Sequence, residues 1–444
     1  MRDGVRSAGN PFGGLGCRML MPAFLAVLAL NLAPVSVLPA TRTECAATAA
    51  AATALPATIP IEVWNNHAYV KICIAGRDLD FILDTGAGNT AIDLNTARLL
   101  DLSLDHTLAV GGAGAGTVSG ARVQGASVTL AGTSITQPIA LAIDLSRLPP
   151  REAHRMDGIL GDDFIERYVV AIDYVRHELR LYDRESFRYS GPGVFVPITL
   201  VNHFPHIDAA VKLADGETVT GRFVIDVGSS AALSLAKPFV DEHRLRERVG
   251  PTVRRSTSGG IGGMTTTEYG RVPSLAIGDV DLSRPIVQLY GDSAGVFSRR
   301  GSWVGNIGGQ ILRRFTVLID YKGKRMIFEA SAAFSEPFEA DMSGAALVMD
   351  DSLKTIVVDR IEPGSPASEA GLMRGDVVVS VDGAPAGQRE LGDLRERRFR
   401  RPGERAVLMV RRGGETLRIE IVTRRLVARG PEARDTRRVQ IASR

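Results

Sequence analysis

The sequence predicts a mainly β chain in which two similar, barrel-like halves meet at a cleft and a smaller module follows. Three observations carry this. Short alternating runs bounded by Gly, Asn and Asp recur along the chain, as in Ala68-Tyr69-Val70-Lys71-Ile72 and Ala126-Ser127-Val128-Thr129-Leu130. A segment of roughly 140 residues occurs twice, the signature of an internal duplication. Near Glu339 the texture changes, and helical signals before it are short, the clearest being residues 95–100 and 236–246.

Taken in order, residues 1–55 do not read as part of a fold. Arg2, Arg6 and Arg18 precede an apolar stretch, residues 19–40, interrupted by Pro22, Pro34 and Pro39 and followed by an alanine-rich run. This is the pattern of a signal peptide, or of a membrane anchor if retained, plus a linker. The folded part is expected to be exported, to the periplasm, the cell envelope or the medium. Of 444 residues, 45% are hydrophobic and 23% charged, which leaves room for two or three domains. A net charge of +3 argues against a nucleic-acid partner. Cys17, Cys45 and Cys73 suggest neither a disulfide framework nor a zinc site, and Cys73 reads as a small buried residue.

The first half spans residues 56–185 and the second residues 186–335. Each is built around an aspartate at the end of an apolar run. Residues 81–90 read FILDTGAGNT, with Asp84 held at a turn that Gly86 and Gly88 permit. Residues 223–230 read FVIDVGSS, with Asp226 in the same place. Downstream of Asp84 come Gly158-Ile159-Leu160-Gly161 and VVAIDY (169–174); downstream of Asp226 come Gly305-Asn306-Ile307-Gly308 and TVLIDY (316–321). A glycine-rich segment lies between aspartate and block in each half, at 111–120 and 259–270.

This duplicated pattern resembles the pepsin- and retropepsin-like aspartic peptidases, whose signature is an apolar run ending in Asp-Thr-Gly or Asp-Ser-Gly, once per lobe. The resemblance implies two acid-protease lobes with Asp84 and Asp226 meeting at the cleft floor as catalytic residues. Thr85, Gly86, Val227, Gly228 and Ser229 would support the dyad, and Gly111, Gly112, Gly114, Gly259 and Gly260 would lie in flaps over it. Two carboxyls about 3 Å apart cannot both ionise easily, so they share a proton and take opposite roles, one accepting a proton from water and one donating to the substrate carbonyl. Ser229 is expected to donate to Asp226, which would leave the charge there and the proton on Asp84. The family has Thr or Ser where Val227 stands, so half of the hydroxyl brace beneath the dyad is missing and Thr85 needs another partner. The alternative reading is an inactive peptide-binding scaffold of the same fold.

Two other patterns carry less. Gly291-Asp292-Ser293-Ala294-Gly295 matches a serine-hydrolase elbow, but all seven histidines precede Ser293, whereas that fold needs one after it. His203 and His206 flank Pro205 and read as a surface loop, so no metal is expected, and aspartic chemistry requires no cofactor.

Residues 361–383 read IEPGSPASEAGLMRGDVVVSVDG. This resembles a PDZ domain of the kind found in bacterial envelope proteases, here spanning residues 340–425. PDZ domains add an extended peptide to a sheet edge. The resemblance implies a peptide ligand held by Gly344, Ala345, Ala346 and Leu347 in the carboxylate loop and by Ile356 in an edge strand at residues 354–359, with a helix at 391–398 as the other wall. Residues 426–444 are basic and poor in apolar side chains, as disordered tails are. The whole reads as an aspartic endopeptidase acting on peptide or protein substrates, with a PDZ module that recruits a peptide.

Overall fold

The computed structural model describes residues 53–258, 260–291 and 294–428, and the fold is mainly β. Both aspartate runs are buried strands because nothing in them interrupts the apolar sequence: Phe81, Leu83, Phe223 and Ile225 are fully enclosed. Strand Arg77–Leu83 lies parallel to Gly158–Leu160, and Thr218–Asp226 lies parallel to Gly305–Gly308. Each glycine strand also pairs antiparallel with the strand after its aspartate, Ala91–Asp93 or Leu233–Leu235. The pairings thus repeat between the halves. Glycine is required at these crossings, since a Cβ on Gly158 would meet the Phe81 ring at 2.3 Å and one on Gly305 would meet the Ser234 carbonyl at 2.0 Å.

The repeated VVAIDY and TVLIDY runs join the halves. Val169–Asp173 and Phe315–Asp320 are antiparallel neighbours, with Val170 opposite Ile319, and every residue of both strands is buried. Strands buried on both faces read as continuous apolar runs, which is what these are. A single core consequently includes Leu83 from one half and Ile225 and Val227 from the other.

Three details differ from expectation. The sheets, of 15, 10 and 6 strands, do not close into barrels among the described residues. Two of their end strands, Leu104–Gly111 and Val253–Ser258, run out into hairpins at the glycine-rich segments and do not pair back. The helix expected at 236–246 is two, Lys237–Glu242 and Leu245–Arg248, divided where Arg244 turns left-handed at φ 49°. Cys73 is half-buried and disulfide-bonded, so it is no free buried thiol.

The C-terminal sheet runs Ala345–Met349, Ile356–Ile361, Val377–Val381, Arg405–Arg412, Glu415–Val422. It corrects the position of the edge. Ile356–Ile361 is paired on both sides and Ile356 is fully buried, so Ile356 is a core residue; on that side the sheet ends at Ala345–Met349. The small residues at 343–347 read as loop, yet from Ala345 they are strand. The facing helix is Gln388–Glu396.

Candidate active site

Asp84 and Asp226 end their strands side by side. A Cβ on Gly86 would lie 3.0 Å from an oxygen of each carboxyl, and one on Gly228 would overlap Asp84, so the two glycines allow the turns to abut. The Asp84 main-chain N–H donates to Leu160 O at 3.0 Å, which ties the aspartate to the glycine block.

The brace beneath them is made by one hydroxyl. Thr85 Oγ1 donates to Ile225 O at 2.6 Å and accepts from the Val227 N–H at 3.0 Å. Both partners are backbone, so Thr85 is satisfied although Val227 has no hydroxyl. The Val227 side chain is buried in the common core.

The donor to Asp226 is not Ser229. Asn306 Nδ2 reaches Asp226 Oδ2 at 2.6 Å, and the Ser229 hydroxyl makes no hydrogen bond to that carboxyl among the described residues. Asn306 occupies the position of Ile159 in the first half, and this polar residue in an otherwise apolar block was its signal in the sequence.

Electrostatics distinguish the two acids. Burial raises the Asp84 carboxyl, but the N–H of Gly86, at 2.7 Å from Oδ1, and the charge of His67 pull it back. Burial and the facing Asp84 charge push Asp226 up to about 8, against the Asn306 donor. These environments favour the shared proton on Asp226 and the charge on Asp84, whereas a Ser229 donor would have favoured the reverse.

Four further residues escaped the sequence reading. His67 and Glu152 form an ion pair at 3.5 Å on the cleft wall. Burial lowers the His67 pKa, but Glu152, Asp84 and Asp226 outweigh it and leave it raised. Burial alone would raise Glu152, yet His67, Asn65 and Arg395 hold it down to about 2. Nearby, Tyr321 of the second half donates to Asp162 of the first at 2.6 Å, and burial pushes Asp162 up to about 9, so that pair is a neutral brace.

Above the dyad the glycine-rich tips meet. Gly114 N–H donates to Ile261 O at 2.9 Å and Gly116 N–H to Gly262 O at 2.8 Å, an approach that a Cβ on Gly114, 2.3 Å from Gly262, would block. Gly111 and Gly112 lie at the same tip, Gly112 against Ile261, and Gly260 stands on the opposing tip; Gly259 and Ser293 lie outside the described residues. Beneath the tips is a cavity of about 490 Å³ lined by both aspartates and by Ile82, Val110, Tyr290 and Phe297. Its volume lies in the range of organic-ligand sites, and polar groups such as His67, Glu152, Gln288 and Asn306 share the lining with the apolar ones.

His203 is exposed at a turn, whereas His206, expected in a loop, is buried in strand Phe204–Lys212 with Nδ1 2.8 Å from Phe204 O. No group of metal-ligating side chains occurs among the described residues. No described helix is long and apolar enough to cross a membrane; residues 19–40 lie outside the described residues.

In the C-terminal module, the Gly344 N–H is taken by Asp341 at 2.7 Å and the Ala345 N–H by Ser343 Oγ at 3.0 Å. These amides are thus occupied internally. Ala346 and Leu347 lie on the edge strand, and the Leu347 carbonyl accepts from Arg395 of the facing helix.

Comparison with known families agrees with the two resemblances. Residues 70–164 match an aspartyl protease family and residues 341–423 match the PDZ domain. The first match includes Asp84, the first glycine-rich hairpin and the first glycine block; Asp226 lies outside both. No curated protein matches the chain. The chain carries an aspartyl-protease-type domain and, at its C-terminus, a PDZ domain.

Proposed function

We propose that the protein is a two-lobed aspartic endopeptidase. The observation that carries the reading is the pair of buried, abutting carboxyls with unequal environments beneath closed hairpin tips. In this reading ionised Asp84 takes a proton from a water between the carboxyls as that water attacks the peptide carbonyl. Protonated Asp226 donates to the carbonyl oxygen, giving a neutral tetrahedral adduct without a covalent enzyme intermediate. Asn306 steadies Asp226 as it becomes anionic. The hairpin tips exclude bulk water and must part for substrate to enter. Residues 56–185 and 186–335 would be the lobes, and the PDZ domain would engage a peptide. The Cys73 disulfide supports export to an oxidising compartment.

The test is incubation of the protein with a mixed peptide library across pH 3 to 7, beside Asp84→Asn and Asp226→Asn, with and without a statine-type mimic. Cleavage is expected to fall by about 10²–10⁴-fold or more in each variant and to be blocked by the mimic. Cleavage unchanged in either variant overturns the dyad. No cleavage at any pH favours the inactive scaffold.

A further inference from the structure

A PDZ domain accepts an extended peptide between an edge strand and the helix facing it. Here both walls are held by the first half of the same chain. The short helix Leu148–Glu152 packs against edge strand Ala345–Met349. Ala153, at its C-terminus with φ 56°, is fully buried in the same cluster as Leu347, Leu391 and Leu394. Trp64 covers the helix at Gly392, where a Cβ would stand 2.4 Å from the indole ring, and its Nε1 donates to Glu152 O at 2.6 Å. Arg395 closes the space between the walls, donating to Arg151 O at 2.8 Å and to the Leu347 carbonyl, an edge acceptor that an added strand would use. Arg151 reaches Asp359 at 3.4 Å.

The same segment forms part of the catalytic cleft. Leu148 and Glu152 line the cavity that holds Asp84 and Asp226. Glu152 accepts from Asn65 at 2.7 Å and pairs with His67, which lines that cavity too. Six residues thus face the PDZ groove with one side and the cleft with the other.

We propose that residues 148–153 and Trp64 are a latch that closes the PDZ groove, and that an extended peptide entering the groove displaces it and opens the cleft wall. The occupant is an internal segment bearing an apolar side chain, which takes the place of Ala153 among Leu347, Leu391 and Leu394. A terminal carboxylate is disfavoured because Asp341 and Ser343 already occupy the loop amides. The effect on cleavage rests on the peptidase reading; the latch itself does not. A groove that is mostly closed binds its ligand more weakly by the fraction of time it is open.

The full chain in its Asp84→Asn form is compared with the same chain carrying Trp64→Ala or Arg395→Gln. Amide hydrogen exchange is followed at residues 148–154 and 345–349, and anisotropy is titrated with a fluorescent pool of C-terminally amidated peptides, each with one apolar residue. Both variants are expected to exchange those two segments about tenfold faster, with the remaining amides unchanged, and to bind the pool about tenfold tighter. Unchanged exchange at 148–154 in both variants overturns the latch. So does binding of the pool to the unlatched and latched chains with equal affinity. With Asp84 intact, Trp64→Ala is expected to raise cleavage of a protein reporter several-fold, and an equal or lower rate overturns the coupling. Because exchange and binding are read without turnover, a chain that never cleaves peptide defeats the peptidase reading and leaves the latch to its own data.

Discussion

The two sides of the cleft floor reach similar geometry with different atoms. On the Asp84 side the brace is a hydroxyl, Thr85, while the block behind the carboxyl offers apolar Ile159. On the Asp226 side the brace position is apolar Val227 and the block offers Asn306, whose amide reaches the carboxyl. The hydroxyl brace and the side-chain donor to a carboxyl, which a symmetric dyad would draw from both halves, are divided between them. One hydroxyl suffices for the brace because both its partners are main-chain groups that no side-chain change removes.

The largest expected effect sharpens the electrostatic half of this comparison. Burial and the Asp84 charge hold Asp226 near about 8 in the folded chain, far above the ordinary value of 3.8. Between those two values the folded state keeps a proton that the unfolded state has released, so the contribution of Asp226 to stability is full below about pH 4 and is lost as pH rises toward 8. The slope is on the order of 1.4 kcal/mol per pH unit. Asp226→Asn is expected to flatten the decline of urea-unfolding free energy over this range, and Asp84→Asn to flatten it less. Equal slopes in the two variants would erase the asymmetry.

A mechanical test comes next. Thr85→Val leaves Ile225 O and the Val227 N–H unpaired in a closed core, at about 1–3 kcal/mol for each group. Unfolding at pH 7 should register a loss of roughly 2–6 kcal/mol. Adding Val227→Thr to that variant moves the hydroxyl to the other half, where by the repeat it faces the backbone at Leu83 and Thr85, and about 1 kcal/mol or more should return. If Thr85→Val costs nothing, the brace is ornamental and the halves do not depend on it.

How much of this could be read from the sequence follows from distance along the chain. The aspartates, their glycine blocks and the hairpins were legible because apolar runs and obligatory glycines leave a local trace, and the duplication doubled it. Asn306 left a trace as well, a polar residue aligned with Ile159. The unbroken apolar character of the two IDY runs marks them as strands buried on both faces but does not show that they pair with each other. By contrast, Arg395 meets Arg151 across 244 residues, and neither belongs to a motif. His67 and Glu152 are ordinary polar residues until the fold encloses them. The PDZ edge was misplaced because Gly344, Ala345 and Ala346 have weak strand propensity, and position in the sheet decides there.

The smallest effects separate the two candidate donors to Asp226. Activity of a shared-proton pair has an acidic limb, where the first carboxyl ionises, and a basic limb, where the second loses the common proton. Asn306 favours ionised Asp226, so Asn306→Ile, which copies the first half, should carry the basic limb of kcat/KM to higher pH and move the acidic limb less, since Asp84 keeps its Gly86 donor. A shift confined to the acidic limb would instead assign the proton to Asp84. Ser229 stands beside the same carboxyl in the sequence but not within its hydrogen bonds. Ser229→Ala is accordingly expected to leave both limbs where they are, and its null result is informative only beside Asn306→Ile. A basic-limb shift in Ser229→Ala equal to that of Asn306→Ile would show that the hydroxyl turns toward Asp226 when substrate parts the hairpins, and that the second half carries two donors where the first carries none from a side chain.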